Sequence, residues 1–452
     1  MDLASLAALI VLTISYAKGI KAIFVIAVAS LAFGSLAALP PAFTGGITIT
    51  ASSLGFLLLV VKVIKVARLN QILHVAFSFK ELGFLTFYVL WSLVATLVFP
   101  WLFDGTMYVY PVRSAGIDYV LVPLSFTTSN LTQEFYLILS YSVALVVSLL
   151  SSDADFQSLF RSAILSVAIA MILTGAIDYL GAGWILEFTR NASYALAGET
   201  NIGSSRRVVG AMPEASSFGW LMTALLSILI LLRKTLGLDS KVLICIILAI
   251  IFVILCASST AYGMFVALIF AFLFQTLLRA VFDGQIEREK SILEIICLSL
   301  LCVLLFEIVL YVDAIRAPLF QLVDELVLNK SASSSFEERT RWSRIAYEAF
   351  ISSYGLGIGV GSARTSNGLI NILASTGVIG SVLFLLYILR LFYYAPANHR
   401  MYDRFALSLS MLSPFIGLAL SSATADFGII LAILFGLQSP KSLIFTGDPS
   451  YE

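Results

Sequence analysis

Long apolar runs separated by short polar connections dominate the chain. They occupy residues 3–17, 22–39, 47–66, 82–103, 134–152, 161–183, 214–232, 242–257, 259–282, 292–312, 366–391, 405–423 and 425–438. A helix that crosses a bilayer needs about 20 mostly apolar residues. The pattern therefore predicts thirteen spans, or twelve to fourteen if 242–282 is divided differently. The first run has no basic segment before it, so it reads as a retained span and not as a signal peptide. The runs do not alternate as barrel strands would. Backbone groups in lipid must be satisfied within the helix, so the fold class is all-α. The longest polar stretches, 184–213 and 313–365, are loops. The whole chain, 1–452, is expected to form one polytopic transmembrane domain.

Composition narrows this further. Of 452 residues, 60% are apolar and 12% charged, and mean hydropathy is +1.00. Soluble domains carry about 25% charged residues, and half of that does not cover a water-facing surface. Disorder needs low hydrophobicity and high charge, and is excluded. The 27 basic and 27 acidic residues cancel, which argues against a nucleic-acid partner. Cys245, Cys256, Cys297 and Cys302 all fall in apolar runs and are expected as buried thiols.

Lys and Arg in the connections set the orientation. Seventeen lie on one side, from Lys18 and Lys21 through Lys62, Lys65 and Arg68 to Lys441, which makes that side cytoplasmic. Ten lie on the other: Arg113, Arg190, Arg206, Arg207, Arg316, Lys330, Arg339, Arg341, Arg344 and Arg364. The C-terminus is then cytoplasmic and the N-terminus faces out. Nine of the outer ten are Arg, and all but Arg113 fall in the two long loops. Arg is preferred where a planar fork grips carboxylate or phosphate. These residues are either solvated loop charges paired with Glu187, Glu199, Asp324, Glu325, Glu337 and Glu338, or an anion site for a lipid-linked phosphate or pyrophosphate.

Four segments carry candidate chemistry. In 200–220, Arg206 and Arg207 precede Pro213 and Glu214, which open a span. Glu214 is either a helix start, favoured by the dipole, or a carboxylate that takes a proton or orients an Arg. In 333–350, Ser-rich residues lead into an amphipathic helix in which Ile345, Tyr347 and Phe350 give apolar contacts, with Ala346 and Ala349 between them. Arg341 and Arg344 share a face, and Glu337 is placed to pair with Arg341. This is either a helix lying on the membrane or, through Arg339, Arg341 and Arg344, a pyrophosphate clamp. In 354–369, Gly355, Gly357, Gly359 and Gly361 suggest a re-entrant loop that offers bare N–H groups to an anion, followed by Arg364 and Asn367. Asn367 is alternatively a helix cap. The turn at 257–264 is small and hydroxylated, which suits close helix packing. Asp178, Glu307 and Asp426 lie near outer span ends, where charges reach the interface, and receive no role. His74 and His399 fall on the cytoplasmic side. No metal-ligand cluster stands in the outer loops, so neither metal nor other cofactor is expected.

The run from Arg339 to Gly380 resembles the signature of the O-antigen ligase/polymerase superfamily: an Arg-led amphipathic helix, the Gly-x-Gly stretch 355–361, the Ser366-Asn367 pair, and Gly377-Val-Ile-Gly380. Arg206, Gly210, Pro213, Glu214 and Ser216, with the 257–264 turn, also look like family counterparts. Ligases of this family typically carry His-Asn where this chain has Ser-Asn, so the resemblance favours a Wzy-type repeat-unit polymerase. It implies an undecaprenyl-pyrophosphate-linked oligosaccharide as substrate and a bacterial inner-membrane location with the site facing the periplasm. A chain-length co-polymerase is the implied partner, beside membrane lipid. Catalysis is expected from Glu214, Arg339 and Arg341. Arg206, Arg207, Arg344, Gly357, Gly359, Arg364 and Asn367 would bind the pyrophosphate substrate. A ligase that works without the His, or a lipid-oligosaccharide flippase, is the alternative.

Overall fold

The computed structural model describes residues 2–40, 43–44, 47–112, 120–153, 155–192, 201–202, 205–238, 242–282, 296, 334–393 and 400–438. Fourteen helices are formed among the described residues. They are α1 (Leu3–Lys18), α2 (Ile20–Ala29), α3 (Ala51–Val66), α4 (Leu69–Phe77), α5 (Gly83–Leu102), α6 (Thr128–Leu150) and α7 (Phe156–Ile177). After these come α8 (Ala215–Leu231), α9 (Val242–Leu255), α10 (Ser259–Phe282), α11 (Ser334–Ser352), α12 (Gly368–Tyr393), α13 (Arg400–Ser421) and α14 (Ile429–Leu437). Strand structure among the described residues is limited to three short antiparallel ladders: β1 (Ala37–Leu39) with β2 (Ile49–Thr50), β3 (Tyr108–Val109) with β4 (Val122–Pro123), and β5 (Asn201–Ile202) with β6 (Ser205–Arg206).

Every expected span within the described residues coincides with a helix. The run 292–312 lies outside them, apart from residue 296. Five helices are long and apolar enough to cross a bilayer: α5, α6, α7 with its continuation to Thr189, α10 and α12. Five more apolar helices are shorter. Several runs are cut because turns claim their ends. The run 22–39 stops being helical at Ala32, and residues 425–428 are not part of α14. α4 was not foreseen as a separate helix.

The exposed surface is itself apolar at helical spacing. On α10, Val266, Ile269, Phe270, Leu273 and Leu277 all face outward. A water-soluble protein rarely exposes large contiguous apolar patches; a helix facing hydrocarbon does. The centre is built from α8 and α14. Thirteen of the 17 residues of α8 and eight of the nine of α14 are buried, so both sit inside the bundle. α8 packs against α10, α13 and α9, and α14 packs against α6 and α13. Rings of Tyr387, Phe384, Phe415, Phe427 and Phe435 interlock between α12, α13 and α14. Cys256 is buried and Cys245 half-buried, both as free thiols; Cys297 and Cys302 lie outside the described residues.

Candidate functional site

The chain from α7 to α8 is pinned before it reaches Glu214. α7 runs into an irregular turn at Asp178–Ala182, where Gly181 takes φ +82°. The Asp178 carboxylate accepts the N–H groups of Val209 (2.8 Å) and Gly210 (2.9 Å), and Arg190 Nε donates to Gly210 O at 3.0 Å. Arg190 also pairs with Asp178 at 3.7 Å. Asp178, given no role from sequence, thus clamps the segment that carries the site. Arg207 follows the same logic: its Nε donates to Cys256 O (3.3 Å), at the turn between α9 and α10. That turn packs closely, since a Cβ on Gly219 would meet Cys256 Sγ at 2.6 Å and Ala261 Cβ at 2.7 Å. Burial draws the Arg207 guanidinium below its ordinary pKa. Glu214 opposes that shift, and the like charge of Arg339 adds to it. Arg206 lies in β6, and its side chain is outside the described residues.

Glu214 stands at the N-cap position of α8, but its side chain does not cap the helix. Its carboxylate accepts the Ser216 hydroxyl instead and is exposed to the cavity described below.

α11 forms where the amphipathic pattern placed it, but its buried stripe is Trp342, Ser343, Ala346, Ala349 and Phe350. Tyr347, expected on the packed face, is 46% exposed. Ala346, Ala349 and Phe350 pack with Met107, Val109, Leu124, Ile358 and Ala363 in a small second core that seats α11. The three Arg of this helix therefore part company. At 100° per residue, Arg339 shares the side of Trp342 and Ser343, while Arg341 and Arg344 point away. Arg339 is half-buried and lines the cavity. Arg341 pairs with Glu337 (3.4 Å) and Arg344 with Glu348 (3.2 Å) on the exposed face. The Tyr110 hydroxyl, then Glu337, hold the Arg341 guanidinium above its ordinary pKa. A clamp by all three Arg is thus not formed.

The glycine segment is packed, and most of its N–H groups are donated within the protein. Gly355, Gly357, Gly359 and Gly361 all adopt positive φ. Gly357 N–H donates to Ser353 Oγ (3.0 Å), Ile358 N–H to Ala374 O (2.8 Å), Gly359 N–H to Ser375 O (2.9 Å) and Val360 N–H to Thr96 Oγ1 (3.0 Å). The two bonds to Ala374 O and Ser375 O satisfy carbonyls that α12 releases where it breaks at Gly377 (φ +65°). A Cβ on Gly359 would meet Pro100 at 2.8 Å, and one on Gly361 would meet Ser129 O at 2.5 Å. Of the N–H groups expected to be bare, those of Gly355, Gly357 and Gly359 are already donated, and Gly357 and Gly359 do not line the cavity.

A buried polar network behind the segment was not foreseen. Glu134 of α6 accepts the hydroxyls of Ser92 (2.8 Å) and Thr96 (2.9 Å), and Asn130 Nδ2 donates to Val360 O and Ser362 Oγ, each at 2.8 Å. Arg364 emerges from this anchored segment. Its N–H donates to Tyr110 O (2.7 Å), and its guanidinium lies 4.4 Å from the ring centroid of Trp342. Asn367 takes the simpler of its two readings: its Oδ1 caps α12 through the N–H groups of Leu369 (3.0 Å) and Ile370 (3.1 Å). Ser366 lines the cavity while its hydroxyl donates to Arg339 O at 3.2 Å, joining loop to helix.

Arg339, Arg364 and Glu214 meet in one cavity of about 550 Å³. Ligand sites are commonly about 300–1,000 Å³. Its wall adds Trp220 and Trp342, the hydroxyls of Ser52, Ser53, Tyr136, Ser140 and Ser216, and the carboxylates of Glu338 and Asp426. Cations, acids, indoles and hydroxyls thus come together from residues far apart in sequence. An inorganic anion alone would face three carboxylates here. A ligand with an anionic end and a polyhydroxylated end matches the whole lining.

The chain matches no protein family, no curated protein and no solved structure.

Proposed function

We propose that the chain is a membrane glycosyltransferase that polymerises undecaprenyl-pyrophosphate-linked oligosaccharide repeat units, as its resemblance to the O-antigen ligase/polymerase superfamily implies. The observation that carries this reading is the single cavity in which Glu214, Arg339 and Arg364, drawn from three sequence segments, stand together with two Trp and several hydroxyls. The sugar–pyrophosphate bond is already activated, so no nucleotide is consumed. As that bond breaks, charge gathers on the pyrophosphate, and preorganised guanidinium groups are suited to hold it. Arg339 is the foremost of these: among the described residues no carboxylate pairs with it, and it acts on Arg207 as a near like charge. Indoles and hydroxyls suit the faces and edges of sugar rings. The reaction is written without a metal. The cavity opens toward the periplasm of a bacterial inner membrane.

Ser366 stands where the ligases carry His, and its hydroxyl is donated to the backbone of α11. That supports polymerase over ligase. Lipid analysis of a deletion strain is the test. A polymerase mutant accumulates single lipid-linked repeats; trapped cytoplasmic repeats or stored full-length polymer would reject this reading. The purified protein should extend extracted lipid-linked repeats even in excess chelator. Activity that returned only on adding a divalent ion would overturn the metal-free reaction.

A further inference from the structure

We infer that Asp426 is the catalytic base of this cavity, accepting the proton of the acceptor sugar's attacking hydroxyl. This rests on the polymerase reading above and fills the role that Ser366 leaves empty.

Asp426 sits in the non-helical connection between α13 and α14. The connection is fixed from several sides. Thr365 Oγ1 donates to Ser422 O (3.3 Å), Asn371 Nδ2 to Ala423 O (3.1 Å) and Tyr88 OH to Ala425 O (3.2 Å). Ala425 and Phe427 are each 1% exposed, and Phe427 is locked among Phe384 and Phe435. With 425 and 427 held in the core, Asp426 is turned to the cavity, which it lines beside Ser140. Its Oδ1 accepts the Gly428 N–H at 3.0 Å, which sets the orientation of the carboxylate. Among the described residues no cation pairs with it.

The other lining carboxylates are placed differently. Glu214 accepts the Ser216 hydroxyl and lies within electrostatic reach of Arg207, a position that orients a guanidinium. Glu338 is exposed on α11, next to Arg339. The step then balances within the chain's own groups. The acceptor oxygen bonds to the donor's anomeric carbon, and its proton passes to the Asp426 carboxylate. The bond from the anomeric carbon to the pyrophosphate oxygen breaks, and its electron pair leaves with the pyrophosphate, whose charge Arg339 meets.

The test uses the full chain in nanodiscs with lipid-linked repeats extracted from the deletion strain. Binding of undecaprenyl pyrophosphate is followed by the change in intrinsic Trp fluorescence, to which Trp220 and Trp342 in the cavity wall contribute. Asp426→Asn keeps the acceptor for the Gly428 N–H, so the connection is retained. It should bind the probe as the wild type does and polymerise on the order of a hundredfold more slowly, the scale of a lost general base. Asp426→Glu should recover part of the rate. Wild-type turnover in Asp426→Asn, or loss of probe binding together with turnover, overturns the assignment. A wild type that consumes no lipid-linked repeats refutes the polymerase reading itself, and so is distinguished from failure of the base.

Discussion

At the scale of single residues, helix angle decides which Arg can act. Arg339, Arg341 and Arg344 crowd within six positions, yet only the first faces the cavity. A guanidinium that meets leaving-group charge is worth about 3 kcal/mol, or roughly a hundredfold in rate. Lys retains the charge but loses the planar fork. Arg339→Lys should therefore lower polymer per inserted protein nearly as much as Arg339→Ala. Arg344→Ala removes only an exposed pair with Glu348, of a kind worth about 0.3–0.5 kcal/mol, and should leave yield within about twofold. Equal tolerance at 339 and 344 would return these residues to the solvated-loop reading. Residue type and sidedness made Glu214, Arg339 and Arg364 legible in sequence. Arg341 and Arg344 share with Arg339 their crowding along the chain but not its angle around the helix, and crowding is what the sequence displays. Asp426, Asn371 and Glu134 escaped because their meaning lies in partners distant in sequence: Asn130 reaches Val360 across 230 positions. A buried acid near a span end carries no such information by itself.

At the scale of elements, the glycine segment is the sharpest departure. Alternating Gly looks the same in sequence whether it exposes N–H groups to an anion or threads a backbone between helices. Hydrogen-bond partners and the space around each Cα separate the two. Gly359→Ala forces a side chain into φ +86° and against Pro100. It should destabilise by more than about 1 kcal/mol, seen as a lowered thermal midpoint in detergent. Gly105, also at positive φ but with open space around it, is the control that isolates the clash from backbone strain. A midpoint unchanged in Gly359→Ala, with polymerisation lost, would restore the anion-cradle reading. The apolar runs located the helices because their hydrophobicity is local. The ends of several helices were not legible, because they are set by turns such as the one that follows Ala32.

At the scale of the molecule, the connections gather into two ends. Lys21 pairs with Asp155 (2.5 Å), Lys62 and Gln157 donate to the carbonyls of Tyr16 and Thr235, and Arg161 donates to Gly237 O at 3.3 Å. These are the connections that hold the larger basic set. At the other end Ala37 N–H donates to Asn191 Oδ1 (2.7 Å), Ser35 N–H to Ala211 O (3.2 Å) and Arg364 N–H to Tyr110 O (2.7 Å). Lys/Arg bias gives these groups their expected sides, because it accumulates over many short loops. Placing the first end in the cytoplasm follows from that bias. Single cysteines in a background lacking the four native ones test it. Thr200→Cys and Lys330→Cys should react with an impermeant thiol reagent added from the periplasm. Lys234→Cys should react only after the membrane is opened; it is preferred to neighbouring Gly237, whose φ of +57° disfavours a side chain. The cavity with Arg339 and Glu214 belongs to the end that holds Arg364. Labelling of Lys234→Cys from outside would invert the molecule. The cavity would then face the cytoplasm, and a periplasmic polymerase would be excluded however well its residues matched the chemistry.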